Sequence, residues 1–183
     1  LLLYSLYNKY IGKVNLLMRK VFPEGRFSMK KVICIGSVTT DVIVSPADSI
    51  PTPGTLRAVD SVSMHVGGCA SNAAIDLAKM GVPVTLSCKV GKDSFGSFVK
   101  ETCAAAGVNV DGIVVDDTVS TTVSIACISS AGERSFLYNP GSTSAFVKED
   151  ISEKLIDDND IIFVAGAMLL TKFDGKPCAE LMK

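Results

Sequence analysis

Residues 67–74 read Gly-Gly-Cys-Ala-Ser-Asn-Ala-Ala, and two further glycines follow at Gly81 and Gly91. A strand-like run over residues 61–66 ends at the glycine pair, and an Ala-rich helical stretch begins directly after it. Helix starts offer unpaired N–H groups, and glycine lets a ligand approach the backbone closely. The stretch therefore predicts a strand, a tight connection and a helix start that presents backbone N–H groups and the Asn72 side chain to a ligand.

Outward from this stretch, apolar runs of strand length alternate with helical segments from Met29 onward. Such alternation favours a parallel sheet flanked by helices, an α/β fold. The predicted strands are 31–35, 41–44, 84–90 and a buried strand at 161–165. The predicted helices are 71–80, 93–106, 151–156 and 176–183.

Two other segments predict an exposed sheet. Residues 56–66 alternate between apolar and polar side chains, which is typical of a strand with one solvated face. Residues 121–129 and 134–138 are rich in β-formers and flank a Gly-containing link, so they predict a hairpin. The sequence Asn-Pro-Gly-Ser at 139–142 predicts a turn.

Composition restricts the class of protein. The chain has 183 residues, of which 48% are hydrophobic and 20% charged, with a net charge of −1. We expect a globular protein without a nucleic-acid partner, because no basic patch is present, and without a membrane span, because no apolar run is long enough. Six cysteines without a Cys-x-x-Cys pair favour a reducing cytoplasm. The single histidine, His65, has no second ligand at metal-binding spacing, so no metal site is predicted.

Residues 1–28 differ from the rest of the chain. They begin with Leu-Leu-Leu and carry five basic residues against one acidic residue. Met29 precedes the first predicted strand directly, as in many α/β enzymes. We interpret residues 1–28 as a non-native leader or extension.

The glycine-rich stretch resembles the first signature of the ribokinase-like carbohydrate kinases, also called the phosphofructokinase B family. The matching positions are Gly67, Gly68, Ala70, Asn72, Ala74, Gly81 and Gly91. The resemblance extends over residues 29–183 and corresponds to the N-terminal part of the family. It implies a ribokinase-like parallel sheet sandwiched by helices, with a small β-sheet lid from about 45–66 and 118–140. The final helix has no following strand, so we expect the C-terminal part of the fold to be missing from this chain.

The resemblance also implies substrate-binding residues. Asp41 and Asn72 occupy the positions that hold sugar hydroxyls in the family, next to Gly67 and Gly68. Carboxylate and amide groups suit vicinal hydroxyls, because the first accepts hydrogen bonds and the second both donates and accepts. Without the motif, Asp41 would be interpreted as a turn or cap residue. Arg134 on the predicted hairpin is either a contact to a substrate oxygen or phosphate, or a solvated cross-strand charge.

ATP and Mg²⁺ are the cofactors that the resemblance implies. The catalytic base and anion hole of the family come from a Gly-Ala-Gly-Asp segment, and an Asn-x-x-Glu segment is associated with Mg²⁺ and phosphate. Neither segment occurs in residues 29–183, so we assign no catalytic residue. A Walker-type loop is excluded, because Ser97 rather than lysine follows the glycines Gly91 and Gly96. A single glycine after the first strand disfavours a nicotinamide-dependent oxidoreductase.

We therefore expect the N-terminal, substrate-binding portion of an ATP-dependent kinase that phosphorylates a hydroxyl of a small sugar. The family's lid often pairs with a second subunit, so a homodimer through the lid is expected. Cys69 stands where some sugar kinases have lysine, which argues against ribose as the substrate. The alternatives are a nucleoside kinase of the same family and a non-catalytic sugar-binding or dimerisation module. We expect the chain on its own to be inactive and poorly soluble.

Overall fold

Two four-stranded sheets organise residues 29–183, the part of the chain that the computed structural model describes. The predicted leader at 1–28 lies outside the described residues. The strands are β1 (Val32–Gly36), β2 (Thr39–Ser45), β3 (Ser61–Gly67), β4 (Val84–Gly91), β5 (Asn109–Asp116), β6 (Val123–Ile128), β7 (Arg134–Asn139) and β8 (Ile161–Ala165). The helices are α1 (Cys69–Lys79), α2 (Ser94–Ala105), α3 (Gly141–Ala145), α4 (Glu153–Asp157) and α5 (Lys176–Leu181), with a 3₁₀ turn at Lys148–Asp150.

The main sheet is parallel, with the strand order β5-β4-β1-β8. Its two faces bury separate apolar clusters, because successive side chains of a strand point to opposite sides. Val32 and Cys34 of β1 belong to the cluster that α1 and α2 cover. Ile33 and Ile35 face the other way, toward a cluster that includes Phe146. The predicted sheet sandwiched by helices is confirmed.

The small sheet is mixed, with the order β3-β2-β6-β7. Strands β2 and β3 form one antiparallel hairpin, β6 and β7 form another, and β2 pairs with β6 in parallel. The chain leaves the main sheet twice to build it, between β1 and α1 and again between β5 and α3. The predicted second sheet is therefore present, and it includes β2, which the predicted lid segments left out.

The structure differs from the sequence-based expectations at three places. Strand β5 was not predicted, because Asn109, Asp111 and Gly112 interrupt its apolar pattern. The predicted turn at 139–142 continues into the short helix α3. Strand β8 was predicted as buried, but Ile161 is 48% exposed and Phe163 45% exposed, since β8 lies at the edge of the main sheet in the described residues.

No helix within residues 29–183 has both the length and the apolar character needed to cross a membrane.

Candidate functional site

Four of the five residues with a predicted substrate role lie on segments that meet where the main sheet joins the small sheet. β1 ends at Gly36 and leads into β2, which carries Asp41, while β3 ends at Gly67 and leads through Gly68 into α1, which carries Asn72. Ligands of open α/β sheets bind beyond the carboxyl ends of the strands. This junction is therefore the candidate substrate site.

Gly67 makes room for the Asp41 carboxylate. A Cβ atom at position 67 would overlap Oδ2 of Asp41, so only glycine accommodates the carboxylate where it lies. Gly67 pairs with Thr39, one row from the Asp41–His65 pair of the β2–β3 hairpin. The first glycine of the motif thus has a steric role toward a predicted substrate-binding residue.

Gly68 has a different role, at the connection between β3 and α1. Its φ angle of 101° lies in the region that favours glycine, and a Cβ there would lie 2.6 Å from the Ser37 carbonyl oxygen. Ser37 in turn accepts two hydrogen bonds from the helix start, from Cys69 N–H to Oγ at 3.0 Å and from Ala70 N–H to the carbonyl at 3.2 Å. The prediction that the helix start presents these N–H groups to a ligand was wrong, because Ser37 uses them.

Asn72 lies in the first turn of α1 with an exposed side chain. Its neighbour Ser71 is buried and donates to the Gly67 carbonyl at 2.6 Å, which fixes the first turn to the end of β3. Asn72 therefore lies in a helical turn that Ser71 anchors to Gly67, and its side chain is exposed.

The electrostatic environment of Asp41 opposes its charge. Burial raises the pKa of the Asp41 carboxyl above its ordinary value, and the nearby His65 acts in the opposite direction and lowers it. The side chain is half-buried, so a substrate hydroxyl that donates to it would replace part of the lost hydration. A carboxylate held in this way is suited to bind hydroxyl groups.

Paired residues of the small sheet define which side chains share a face with Asp41. Asp41 pairs with His65 and with Ser124, and Ser124 pairs with Tyr138. We call this side of the small sheet the Asp41 face, since directly paired residues point to the same side. The opposite face carries apolar side chains, namely Val42, Val44, Val62, Met64, Ile125 and Leu137.

Arg134 shares the Asp41 face but lies at the far end of β7. It pairs with Ile128, about four positions along the strand from the Ser124–Tyr138 pair, which corresponds to about 13 Å. The structure thus places Asp41 against Gly67, and Gly68 and the first turn of α1 with Asn72 follow directly in the chain, whereas Arg134 lies away from them.

Comparison with known proteins agrees with this architecture. Residues 29–183 match the family model described as pfkB family carbohydrate kinase. The chain belongs to this family. It is 30% identical over 132 residues to an ATP-dependent ribose-1-phosphate kinase from Halopiger xanaduensis, a match that covers 72% of this chain and 44% of that protein.

Solved structures of sugar kinases share the fold. A fructokinase with bound ATP from Xylella fastidiosa superposes with a TM-score of 0.62 at 29% identity, over 75% of this chain and 42% of that one. A sugar kinase from Pyrococcus horikoshii in complex with ATP gives a TM-score of 0.64 at 26% identity, over 82% and 47%. The ribokinase-like fold is thus confirmed, and the chain spans less than half the length of these relatives.

Sequence reasoning missed a hydrogen-bonded anchor at the base of the second hairpin in this kinase domain. Asp93, the N-cap of α2, accepts bonds from Gly96 N–H at 2.8 Å, from Thr121 N–H at 2.8 Å and from the Thr121 hydroxyl at 2.7 Å. Burial alone would raise the pKa of Asp93, but these bonds hold it below its usual range. Asp93 was predicted only to start a helix, because its partner Thr121 is remote in sequence.

A buried lysine was also missed. Lys89 of β4 is 7% exposed, and its Nζ lies 3.2 Å from Asp116 Oδ2 and 3.0 Å from Asp150 Oδ2. It also donates to the Ala145 carbonyl at 3.3 Å. The only signal in the sequence was a lysine within an apolar strand. The network ties β4 and β5 to the segment that follows the small sheet.

The described residues do not fit the Mg²⁺ that the kinase family implies. No group of three or more His, Cys, Asp or Glu side chains within residues 29–183 is placed to hold a metal ion. The glycines around Asp93 enclose Thr121 rather than a phosphate, since a Cβ at Gly91 would lie 2.5 Å from Thr121 N. We therefore assign no metal-binding or nucleotide-binding role to the described residues.

Proposed function

We propose that this chain supplies the sugar-binding side of an ATP-dependent kinase, which transfers the γ-phosphate of ATP to a hydroxyl group of a small sugar. The observation that carries the proposal is the Asp41 carboxylate, half-buried against Gly67 and next to the helix start that bears Asn72. Membership of the pfkB family and the sugar kinases among the relatives support the substrate class.

In this proposal, the described residues bind and orient the sugar. The Asp41 carboxylate accepts hydrogen bonds from sugar hydroxyls, and the Asn72 amide donates and accepts at a neighbouring hydroxyl. Gly67 keeps the Asp41 carboxylate in its place, and Gly68 allows β3 to connect closely to α1. The small sheet covers the bound sugar as a lid and excludes water, which limits hydrolysis of ATP. ATP and Mg²⁺ would supply the phosphoryl group and its charge neutralisation.

Arg134 remains a proposed contact for a larger or phosphorylated substrate. Its position along β7 places it beyond the reach of a small sugar that Asp41 holds. The relative described as a ribose-1-phosphate kinase makes a sugar phosphate one substrate to test.

A nucleoside kinase of the same family is the second candidate. Phe136 and Tyr138 share the Asp41 face, where aromatic rings could pack against a base. Met64, the third group considered for such a pocket, points to the opposite face, because it pairs with Val42 rather than Asp41. The two aromatic side chains therefore come from a single strand.

A substrate panel tests the proposal with the complete gene product, because the chain spans less than half of its relatives. We would measure phosphate transfer from ATP to D-fructose, D-ribose, ribose-1-phosphate and nucleosides. Transfer to a sugar or sugar phosphate is the expected result. Transfer to nucleosides alone would identify a nucleoside kinase. Sugar binding without transfer would identify a non-catalytic module.

We also infer a reducing compartment such as the cytoplasm. All six cysteines are free thiols, and burial raises the pKa of Cys34 and Cys103 to about 11, which keeps these thiols protonated and unreactive.

A further inference from the structure

One row of side chains crosses all four strands of the small sheet beside the candidate site. The row runs from His65 in β3 through Asp41 in β2 and Ser124 in β6 to Tyr138 in β7. Each member carries a hydrogen-bonding group, and directly opposed residues on paired strands lie about 5 Å apart. Neighbouring hydroxyls on a sugar can therefore be met by neighbouring members of the row.

The rows on either side have other properties. Toward the main sheet, Gly67 pairs with Thr39, and the space that a side chain at Gly67 would take is filled by the Asp41 carboxylate. Away from it, Ile43, Ala126 and Phe136 form an apolar centre. A sugar presents both hydroxyl edges and apolar C–H surfaces. The polar row followed by the apolar row matches these two kinds of surface in order.

His65 and Tyr138, the two ends of the row, are not part of the buried core. His65 is exposed and Tyr138 is 48% exposed, although both sit on a sheet face next to a half-buried carboxylate. His65 Nε2 shares a hydrogen bond with Ser63 Oγ at 3.0 Å, which orients the ring. Within residues 29–183, Nδ1 of this ring has no hydrogen-bond partner. Burial raises the pKa of Tyr138, so its hydroxyl remains a donor at neutral pH.

The opposite face of the small sheet contacts a helix close to Asp41. Thr40, whose side chain points to that face, is fully buried and donates to the Phe95 carbonyl of α2 at 3.4 Å. The helix therefore packs against the base of the opposite face. The Asp41 face is the side of the small sheet that does not contact this helix, and Gly67 lies on it.

We propose that His65 is a specificity-determining residue, which contacts a substrate hydroxyl alongside Asp41, with Ser124 and Tyr138 completing the same hydrogen-bonding row. This inference rests on the proposed sugar kinase function and adds residues to its substrate site. His65 contributes through its free ring nitrogen, and Tyr138 contributes through its hydroxyl.

The test compares His65→Ala and Tyr138→Phe with wild type in the complete gene product. The probe is the sugar of the panel with the highest kcat/KM, together with its monodeoxy analogues. Loss of one hydrogen bond predicts that each variant raises the sugar KM about 3- to 10-fold, with KM for ATP and Tm unchanged. Ser135→Ala, on the opposite face of β7, is the matched control and should leave all three values as in wild type.

Deoxy analogues distinguish direct contact from a structural effect. Wild type should lose activity toward the analogue that lacks the hydroxyl bound by His65, and His65→Ala should lose nothing further with that analogue. If His65→Ala discriminates among all analogues as wild type does, the proposed contact is refuted while the sugar kinase function stands. If wild type phosphorylates no sugar, the proposed function itself fails, and this inference fails with it.

Discussion

At the scale of single residues, Asp41 illustrates a conflict between stability and binding. Its carboxylate is half-buried, and burial is the main cause that raises its pKa. The carboxyl group has a higher pKa in the folded protein than in the unfolded chain, so the folded state favours the protonated form. The protein therefore loses stability as the pH rises and Asp41 ionises. The chain keeps this charge next to Gly67, which is consistent with a binding role rather than a structural one.

Asp41→Asn should therefore separate the two properties. At pH 7 we expect Tm equal to or higher than that of wild type, because an amide avoids the cost of the buried charge. We expect sugar affinity to fall about 10- to 100-fold, since hydrogen bonds to a charged acceptor are stronger than neutral ones. Thermal unfolding and sugar KM of the complete gene product measure both effects. A lower Tm with unchanged KM would assign Asp41 to the structural role of a turn or cap residue.

Lys89 shows the opposite relation, a buried charge that serves stability. Burial alone would lower the pKa of Lys89, but its bonds to Asp150 and Asp116 raise it. Hydrogen bonds from Thr118 first, and then Lys89, lower the pKa of Asp116 to about 2. The ionised Asp116 thus stabilises the fold at any pH above 3.8, its pKa in the unfolded chain. This contribution is lost as the pH falls toward 2, its pKa in the folded protein.

Lys89→Met should cost about 3 kcal/mol of unfolding free energy at pH 7, because it leaves two little-exposed carboxylates without their cation. The deficit should shrink as the pH falls below 3.8, because Asp116 of the variant keeps the Thr118 bonds but loses Lys89, and therefore takes up its proton at a higher pH than Asp116 of wild type. Urea unfolding at several pH values tests both statements. The exposed Lys92→Met is the control, and an equal loss in both variants would show that the buried network is unimportant.

At the scale of elements, Asp93 connects α2 to the second hairpin of the small sheet. Asp93→Ala removes the N-cap of α2 and the hydrogen-bond partner of Thr121. We expect the free energy of unfolding to fall by about 2 kcal/mol. We expect faster amide hydrogen exchange in β6 and β7, while β2 and β3 are less affected. The exposed Asp117→Ala should change neither hairpin. If amide hydrogen exchange in Asp93→Ala became faster to the same degree in both hairpins, Asp93 would not be an anchor specific to the second hairpin.

The elements also show how far the sequence could be interpreted. Strands β1 and β4 were predictable, because their apolar runs and flanking glycines are local signals. The exposed hairpin at β6 and β7 followed from β-propensity around a glycine-containing link. Strand β5 lacked such a pattern, and its polar residues are explained only by its position at the edge of the main sheet.

The candidate site was predictable only in part. Asp41 and Asn72 were found through motif spacing, but the steric role of Gly67 depends on the approach of β2, which no local pattern encodes. Ser37, Thr121 and the row from His65 to Tyr138 depend on pairings between remote segments. Strand register, rather than residue type, determines which of these side chains meet.

At the scale of the whole molecule, we propose that the homodimer expected from the resemblance forms through the opposite face of the small sheet. Met64 is 41% exposed and Leu137 is 51% exposed on this face, next to other apolar side chains. Apolar patches of this kind on a folded protein mark interaction surfaces. The Asp41 face would remain open to substrate in such a dimer.

Leu137→Glu should convert the dimer into a monomer, because it places a charge in an apolar interface. Sedimentation equilibrium of the complete gene product should give twice the monomer mass for wild type and the monomer mass for the variant. Val115→Glu, an exposed apolar position in β5, is the control and should remain dimeric. A monomeric wild type would overturn the proposal.

The parallel pairing of β2 with β6 has a consequence for biosynthesis. It joins Thr40 to Val123, positions about 80 residues apart along the chain, so it is a contact of high sequence separation. While the ribosome is still making the segment between them, the first hairpin has a bare β2 edge, to which another strand can attach. The nascent polypeptide is thus exposed to misassociation until β6 emerges, and chaperones that shield strand edges would act in this interval.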